Sequence, residues 1–251
     1  MRVALISEDG IGDVRKIPTP RDPKEAIAKL AELARDAAAG KAITAAAGGI
    51  RGRVISDIFL KDKVLTEWEG TNIAAEISGA LNAPVKIMHD TALIGLGEVH
   101  YGAGRDSKIC AYVTVSTGVG GDRIVDGHIG RSTYNPEIGR QLIDGIELED
   151  LVSGTAVQKK FGMHPKELES LEERNKLADI LAVGLYNTVV HWSPDTIVLG
   201  GSMIVGANPI PLPRVEEALT RRLTMYPTVP AIKMAELGDV GGLHGARALL
   251  S

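Results

Sequence analysis

Apolar positions along the chain fall into short blocks of distinct period. The first, Val3 to Ile6, is a brief continuous run that reads as a strand closing in the turn Glu8-Asp9-Gly10, and a proline-rich crossing at Pro18 and Pro20 follows. A helix is then well marked. Asp22 stands as N-cap, Pro23 as first helical residue and Glu25 as reciprocal capping partner, with Ile27, Leu30, Ala31 and Ala34 forming a stripe that ends before Gly40. Ala42 to Ala46 reads as a buried strand. A second helix opens at Thr71, with Ile73, Ala74, Ile77 and Leu81 on one face, and Pro84 to Met88 supplies another short strand. The β-α-β-α order predicts layered α/β architecture with parallel strands.

Beyond Asp90 the period changes to two. Ile109, Ala111, Val113 and Val115 alternate, a glycine cluster follows, and a hairpin is expected around Asp126-Gly127 after a strand from Arg123 to Val125. Leu177 to Trp192 is apolar on most faces, as a central buried helix would be, and leads into a strand from Thr196 to Leu199. A helix from Pro213 to Leu223, a strand from Ile232 to Leu237 and a short helix after Gly242 complete the order. No tandem repeat or low-complexity linker occurs, so two lobes sharing an interface are expected.

Composition narrows the chemistry. The 251 residues can bury a sizeable core, and a net charge of −4 gives no global field for nucleic acid or an anionic membrane. The single cysteine, Cys110, excludes an intrachain disulfide and a cysteine cluster for zinc. No apolar run approaches the roughly 20 residues of a membrane span, and the start MRVALISEDG has no signal- or transit-peptide pattern, so the cytoplasm is the expected location. Small-molecule chemistry is the leading expectation.

Four places can carry it. In Thr114-Val115-Ser116-Thr117-Gly118-Val119-Gly120-Gly121 a strand ends in hydroxyls and glycines, a turn in which positive-φ backbone and successive N–H groups can hold a phosphate, and which equally serves as a plain hairpin. His89-Asp90 follows a strand end, where an aspartate can accept a proton from a substrate hydroxyl or merely cap the next helix. Leu199-Gly200-Gly201-Ser202 offers bare backbone to a flat nucleoside, or a tight strand-to-helix turn. Glu137 and Glu149 are carboxylate candidates, Glu149 being alternatively a solvated first-turn residue. The remaining histidines, His100, His128, His164, His191 and His244, lack metal-ligand spacing and are read as surface or packing residues.

The order of these pieces resembles the ROK family of sugar kinases and sugar-responsive repressors. Trp68-Glu69-Gly70, His89-Asp90-Thr91-Ala92-Leu93, Ser116 to Gly121, Leu151 to Ala156, Pro194 to Gly201 and Gly241 to Ala246 occur in the family's sequence order. The resemblance implies an α/β, two-lobed actin-like ATPase (ribonuclease H-like) fold, with residues 1–94 plus 240–251 as the smaller lobe and 95–239 as the larger. It implies an ATP-dependent kinase, using Mg²⁺, that phosphorylates a hexose or N-acetylhexosamine, and a homodimer. Asp90 matches the catalytic base. Thr117, Gly118, Gly120, Gly121, Gly200 and Gly201 match nucleotide-binding positions, and His89, Asp90, Glu137, Arg140 and Glu149 the sugar-binding ones. Four departures are visible. His89 replaces the family's asparagine and Arg140 a histidine, the zinc loop shrinks to Gln141–Glu147 so that no zinc is expected, and the sequence starts where the family's D-x-G-G-T phosphate turn has already ended. That last departure keeps a second expectation open, a degenerate, non-catalytic sugar-binding or regulatory protein of the same fold. Repressor members carry a winged helix ahead of the kinase-like region, an extension not expected here, and with a net charge of −4 no nucleic-acid partner is expected.

Overall fold

The computed structural model describes residues 1–8, 10–55, 57–60, 62 and 64–251. The expected turn at Glu8-Asp9-Gly10 includes Asp9, which lies outside the described residues. The longer elements run β1 (Ala46–Ile50), β2 (Val85–His89), β3 (Ile109–Val115), β4 (Val119–Val125), β5 (His128–Ile129), β6 (Thr196–Gly200) and β7 (Ala231–Met234). The helices are α1 (Pro23–Ala38), α2 (Ile73–Leu81), α3 (Asp90–Tyr101), α4 (Leu148–Val152), α5 (Gly154–Phe161), α6 (Leu171–Trp192), α7 (Ser202–Val205), α8 (Leu212–Thr220) and α9 (Gly241–Leu250).

The larger lobe is built on a mixed sheet of order β5-β4-β3-β6-β7, antiparallel on the β5-β4-β3 side and parallel across β3-β6-β7. Its side chains alternate between two apolar layers, as the two-residue strand period requires. Ala111, Val113, Val115, Ile197 and Leu199 pack with Leu177, Leu181 and Leu185 of α6 and with Val215 and Leu219 of α8. Cys110, Tyr112, Ile124 and Val198 pack on the other face with Leu96 and Val99 of α3. Burial on both faces explains the nearly continuous apolar character of β6, all five residues of which are buried. The register of β3 and β6 is pinned by Asp195, whose Oδ2 accepts the Lys108 and Ile109 N–H groups at 2.9 and 2.8 Å. The expected hairpin at Asp126-Gly127 is present, both residues having positive φ (49° and 75°), but β4 begins at Val119 and not at Arg123.

The smaller lobe pairs β1 with β2 in parallel, and α1 and α2 cover them over Ala26, Ile27, Phe59, Trp68, Ile73 and Ile77. Asp22 caps α1 as expected, accepting the Lys24 and Glu25 N–H groups, and Asn72 caps α2. Glu25 does not complete a capping box. Its carboxylate is drawn instead to Lys29 one turn on, at 2.6 Å. Two strand expectations are corrected here. Val3 to Ile6 is not one strand but two pieces, Arg2–Val3 and Ile6–Ser7, each paired antiparallel with the residues that follow (Arg15–Lys16 and Gly10–Ile11). The expected strand at Ala42 to Ala46 lies at Ala46–Ile50, because parallel pairing to Val85–His89 sets its position and only glycine at 49 clears Asp90 Cα, which a β-carbon there would approach to 3.0 Å. Ala42 to Ala45, left outside the ladder, line an apolar cavity of about 390 Å³ together with Val3 to Ile6 and the α9 residues Leu243, Ala246 and Leu250.

The helix α3 joins the lobes. It packs on β1 and β2 of one, on β3 and β4 of the other, and most extensively on α9, which returns the chain terminus to β1. The division expected at residues 94 and 95 therefore falls inside α3. Glu98, 1% exposed, ties this helix to the segment leading into α9 by accepting N–H groups from Ala103, Glu236 and Leu237.

Candidate functional site

β1 and β2 end side by side, with Ile50 paired to His89, and Asp90 is the next residue, the first of α3. A ligand gathers naturally at the carboxyl ends of parallel strands. Asp90 is the first residue of α3 and not its N-cap, though one of its oxygens satisfies a first-turn N–H as a capping carboxylate would. The position before the helix is His89, whose side chain caps nothing, and Asp90 Oδ1 turns onto the Thr91 N–H at 2.7 Å and Thr91 Oγ1 at 3.2 Å. His89 Nε2 stands 3.6 Å from the same oxygen. The Asp90 side chain remains 46% exposed, so Oδ2 is left for a ligand.

Opposite, Glu137 precedes a single helical turn, Ile138–Arg140, that packs on β4. Arg53, three residues beyond β1, brings its Nε to 3.9 Å from Glu137 Oε1, so a cation of the smaller lobe meets a carboxylate of the larger one across the cleft. Arg140 points elsewhere: its guanidinium is paired with Glu147, which holds its pKa above the usual arginine value. The sequence reading passes over Arg53, which has no motif around it.

The hydroxyl and glycine turn is built differently from the phosphate nest expected of it. Gly120 and Gly121 are paired residues of β4, and none of Gly118, Gly120 and Gly121 has positive φ. Their lack of a side chain serves close packing: a β-carbon on Gly121 would stand 2.7 Å from the Tyr112 carbonyl oxygen, and one on Gly120 2.9 Å from Thr91 Oγ1. The Val119 N–H is taken by Glu149 Oε2 at 2.9 Å, so Glu149 is no solvated helix-turn residue but a support beneath the loop. The amino end of α5 grips the loop from below, Gly154 N–H donating to the Ser116 carbonyl and Thr155 to that of Thr117. Among the described residues the Thr117 and Gly118 N–H groups make no hydrogen bond, and they are the donors this turn retains for an anion. Gly200 and Gly201 end β6 next to it. Gly201 has φ +89° and would bring a β-carbon to 2.6 Å from Thr114 Oγ1, so the turn demands glycine whatever it binds, and Ser202 Oγ lies 3.3 Å from Ser116 Oγ. The two glycine-bearing turns thus share one end of the sheet.

Asp122 is a further group that sequence reasoning missed. It is 2% exposed in the middle of β4, and burial pushes its carboxyl up to about 6 against the lowering effects of the Arg123 N–H and of the charges on His89 and Arg123. Its signal was an acidic residue at a strand position whose period calls for a buried side chain. Of the other histidines, His100 bonds to the Gly127 carbonyl, His128 to that of Asp126, His244 packs tilted against Tyr101, and His164 caps a short turn. Among the described residues no three His, Cys, Asp or Glu side chains gather as a metal site, and no helix is long and apolar enough to cross a membrane.

Two α/β lobes, joined by a helix that begins at a half-exposed aspartate, with two glycine-bearing turns at one end of the larger lobe's sheet, define a protein of the actin-like ATPase fold. The ROK family model matches residues 1–251, and the chain belongs to that family. A fructokinase of Zymomonas mobilis is 27% identical over 277 aligned positions, covering 98% of this chain and 91% of the relative. Among solved structures, a ROK hexokinase from Thermus thermophilus superposes with a TM-score of 0.83 at 23% identity, over 98% of this chain and 92% of that one. A ROK glucokinase from Streptomyces griseus, solved with glucose and AMPPNP, gives 0.80 at 19% identity over 99% and 95%.

Proposed function

We propose that the chain is a sugar kinase that transfers the γ-phosphoryl group of Mg·ATP to a hydroxyl of a hexose or N-acetylhexosamine. The observation that carries this reading is Asp90, whose Oδ1 is occupied by Thr91 while its other oxygen is free at the carboxyl end of paired parallel strands. In the reaction the sugar oxygen bonds to the γ-phosphorus, the bond to the β,γ-bridging oxygen breaks, ADP departs with that electron pair, and the hydroxyl proton passes to Asp90 Oδ2. The Thr117 and Gly118 N–H groups, with the backbone at Gly120, Gly121, Gly200 and Gly201, receive the nucleotide. Glu137 and His89 hold sugar hydroxyls, Arg53 sets the charge beside Glu137, Arg140 is held by Glu147 at the edge of the site, and Glu149 links sugar and phosphate sides by fixing the Val119 N–H. Mg²⁺ enters as part of the nucleotide complex. The named relatives, a fructokinase and a glucokinase bound to glucose and AMPPNP, support the same chemistry.

A coupled ADP-release assay across glucose, mannose, their N-acetylated amines, allose and fructose tests the proposal. Sugar-dependent turnover is expected for one of them, falling at least about 100-fold in Asp90→Asn, since general-base catalysis contributes at least that much. Turnover with no sugar, or turnover that survives the substitution, refutes it. Glu137→Gln should weaken sugar binding in calorimetry more than an exposed control such as Glu67→Gln does. A homodimer located in the cytoplasm belongs to the same reading, and light scattering at the monomer mass would remove the dimer.

A further inference from the structure

One charge pair crosses the cleft with its hydrogen-bonding capacity unspent. Beyond β1 the chain turns at Gly52, whose φ of +82° and missing side chain let it lie against Phe59: a β-carbon there would stand 3.0 Å from the ring. Arg51 Nε is drawn to Asp62 Oδ1 at 3.4 Å, an oxygen that also accepts the Val64 and Leu65 N–H groups. On the other side, the Arg53 carbonyl accepts the Leu60 N–H at 2.8 Å, and Val54–Ile55 pairs antiparallel with Ile58–Phe59. The backbone that presents Arg53 is therefore fixed, while its guanidinium makes no hydrogen bond among the described residues. Glu137 is in the same state. Arg140 and Glu149, the neighbouring charges of its lobe, are engaged by Glu147 and by the Val119 N–H. Among the described residues the Glu137 carboxylate meets one cation, Arg53, whose Nε lies 3.9 Å from Oε1.

That distance is too long for a hydrogen bond, and with side chains 62% and 41% exposed the pair adds little to stability. It is, however, the right width for a bridging atom. An oxygen at a normal hydrogen-bond distance of about 2.8 Å from both atoms fits, and the two directions then meet at about 90°. A guanidinium only donates, a carboxylate only accepts, and a hydroxyl does both at one oxygen. We propose that Arg53 is a substrate-binding and specificity-determining residue: with Glu137 it receives one hydroxyl of a neutral sugar, donating to the oxygen whose proton is directed to Glu137. The inference rests on the reading of this cleft as a sugar site and narrows the class of sugar it takes. An ammonium group in place of that hydroxyl offers Arg53 no acceptor and is repelled by it, and a carboxylate fails against Glu137 for the converse reason.

Calorimetry of the full chain with sugar alone tests this without requiring turnover. Arg53→Met should raise the Kd of the preferred neutral sugar about 10-fold, the loss expected for a hydrogen bond to a charged group. In the coupled assay KM should rise by a similar factor with kcat within about threefold, because the hydroxyl held there is not the one that reacts. Arg53→Lys keeps the charge and a donor and should bind within about threefold of the wild type. Monodeoxy analogues of the preferred sugar locate the contact: loss of one particular hydroxyl should cost the wild type about 10-fold in affinity, and at least about threefold less in Arg53→Met. The amino analogue at that position should bind the wild type at least about 10-fold more weakly than the parent sugar, a gap that narrows in Arg53→Met. An affinity unchanged by Arg53→Met overturns the proposal. So does a loss of the same size for the parent sugar and every deoxy analogue, which would make Arg53 a latch between the lobes. A wild-type chain that binds sugar without these couplings leaves the sugar site standing and removes Arg53 from it, whereas one that binds no sugar refutes the reading of the cleft itself, and this assignment with it.

Discussion

A methyl group on Gly245 should be among the most damaging single additions to this fold. At that residue α9 crosses α3, and a β-carbon built there would stand 2.6 Å from the Leu93 carbonyl carbon and 3.0 Å from Leu93 Cγ, with the carbonyl oxygen nearer still. Carbon atoms rest about 3.5–4.0 Å apart, so the helices must separate by at least about 1 Å. The obstacle is backbone and cannot swing aside. The same crossing brings the α3 residue Gly97 so close that its own β-carbon would lie 2.8 Å from the Gly245 nitrogen, so the displacement opens the contact along its length. A gap of that size forfeits a quarter to a half of each dispersion contact, and overpacking costs about 1–3 kcal/mol in its own right, giving an expected loss of about 3 kcal/mol or more for Gly245→Ala. In a chain of this size that lowers Tm by about 6–12 °C. Gly242→Ala is the internal control. Its β-carbon would meet only Ile94 Cγ1, at an ordinary 3.8 Å, so helix propensity should leave it neutral or stabilise it by up to about 1 kcal/mol. Urea unfolding of both variants decides the matter, and a difference between them below about 0.5 kcal/mol would refute the reasoning.

Three further outcomes follow from the packing. Glu98→Ala leaves three backbone N–H groups without their acceptor and should lose about 3 kcal/mol or more in urea unfolding, whereas Glu67→Ala on the surface should stay within about 0.5 kcal/mol. Asp122 is raised from 3.8 to about 6 by burial, so the folded state binds a proton that the unfolded chain has released between those values, and stability should fall on the order of 2–3 kcal/mol as pH rises from 4 to 7. Asp122→Asn should flatten that slope in urea titrations at the two pH values, and a parallel slope would show the carboxylate to be accommodated without cost. Cys110, fully buried and pushed up to about 12, should resist alkylation at pH 8 in the native protein and react once denatured; rapid native labelling would contradict the packing of β3 against α3.

Much of the architecture was legible because local signals agreed with the global fold. The Asp22 cap, the Asp126-Gly127 hairpin and the period-two run of β3 each have one low-energy solution. The misplacements share a different cause. An alanine-rich run at 42–46 satisfies any apolar criterion, but the strand sits at 46–50 because its partner, 85–89, is remote in sequence. Glu25 is a sound capping residue, yet Lys29 competes for it. At the site, the residue types that chemistry requires stand out in sequence order: Asp90 after a strand, glycines after hydroxyls, and Glu137 before a turn. What sequence cannot assign is which constraint each residue answers. Gly120, Gly121 and Gly201 suggest a ligand from their pattern, while the folded chain shows that Thr91, Tyr112 and Thr114 leave no room for a side chain there in any case. The reach of Arg53 to Glu137 and the turning of Arg140 to Glu147 join residues on different elements. Periodicity is a property of one segment and fixes which face of it is buried. Distances between side chains of separate segments exist only once α3 has been clamped between the sheet and α9.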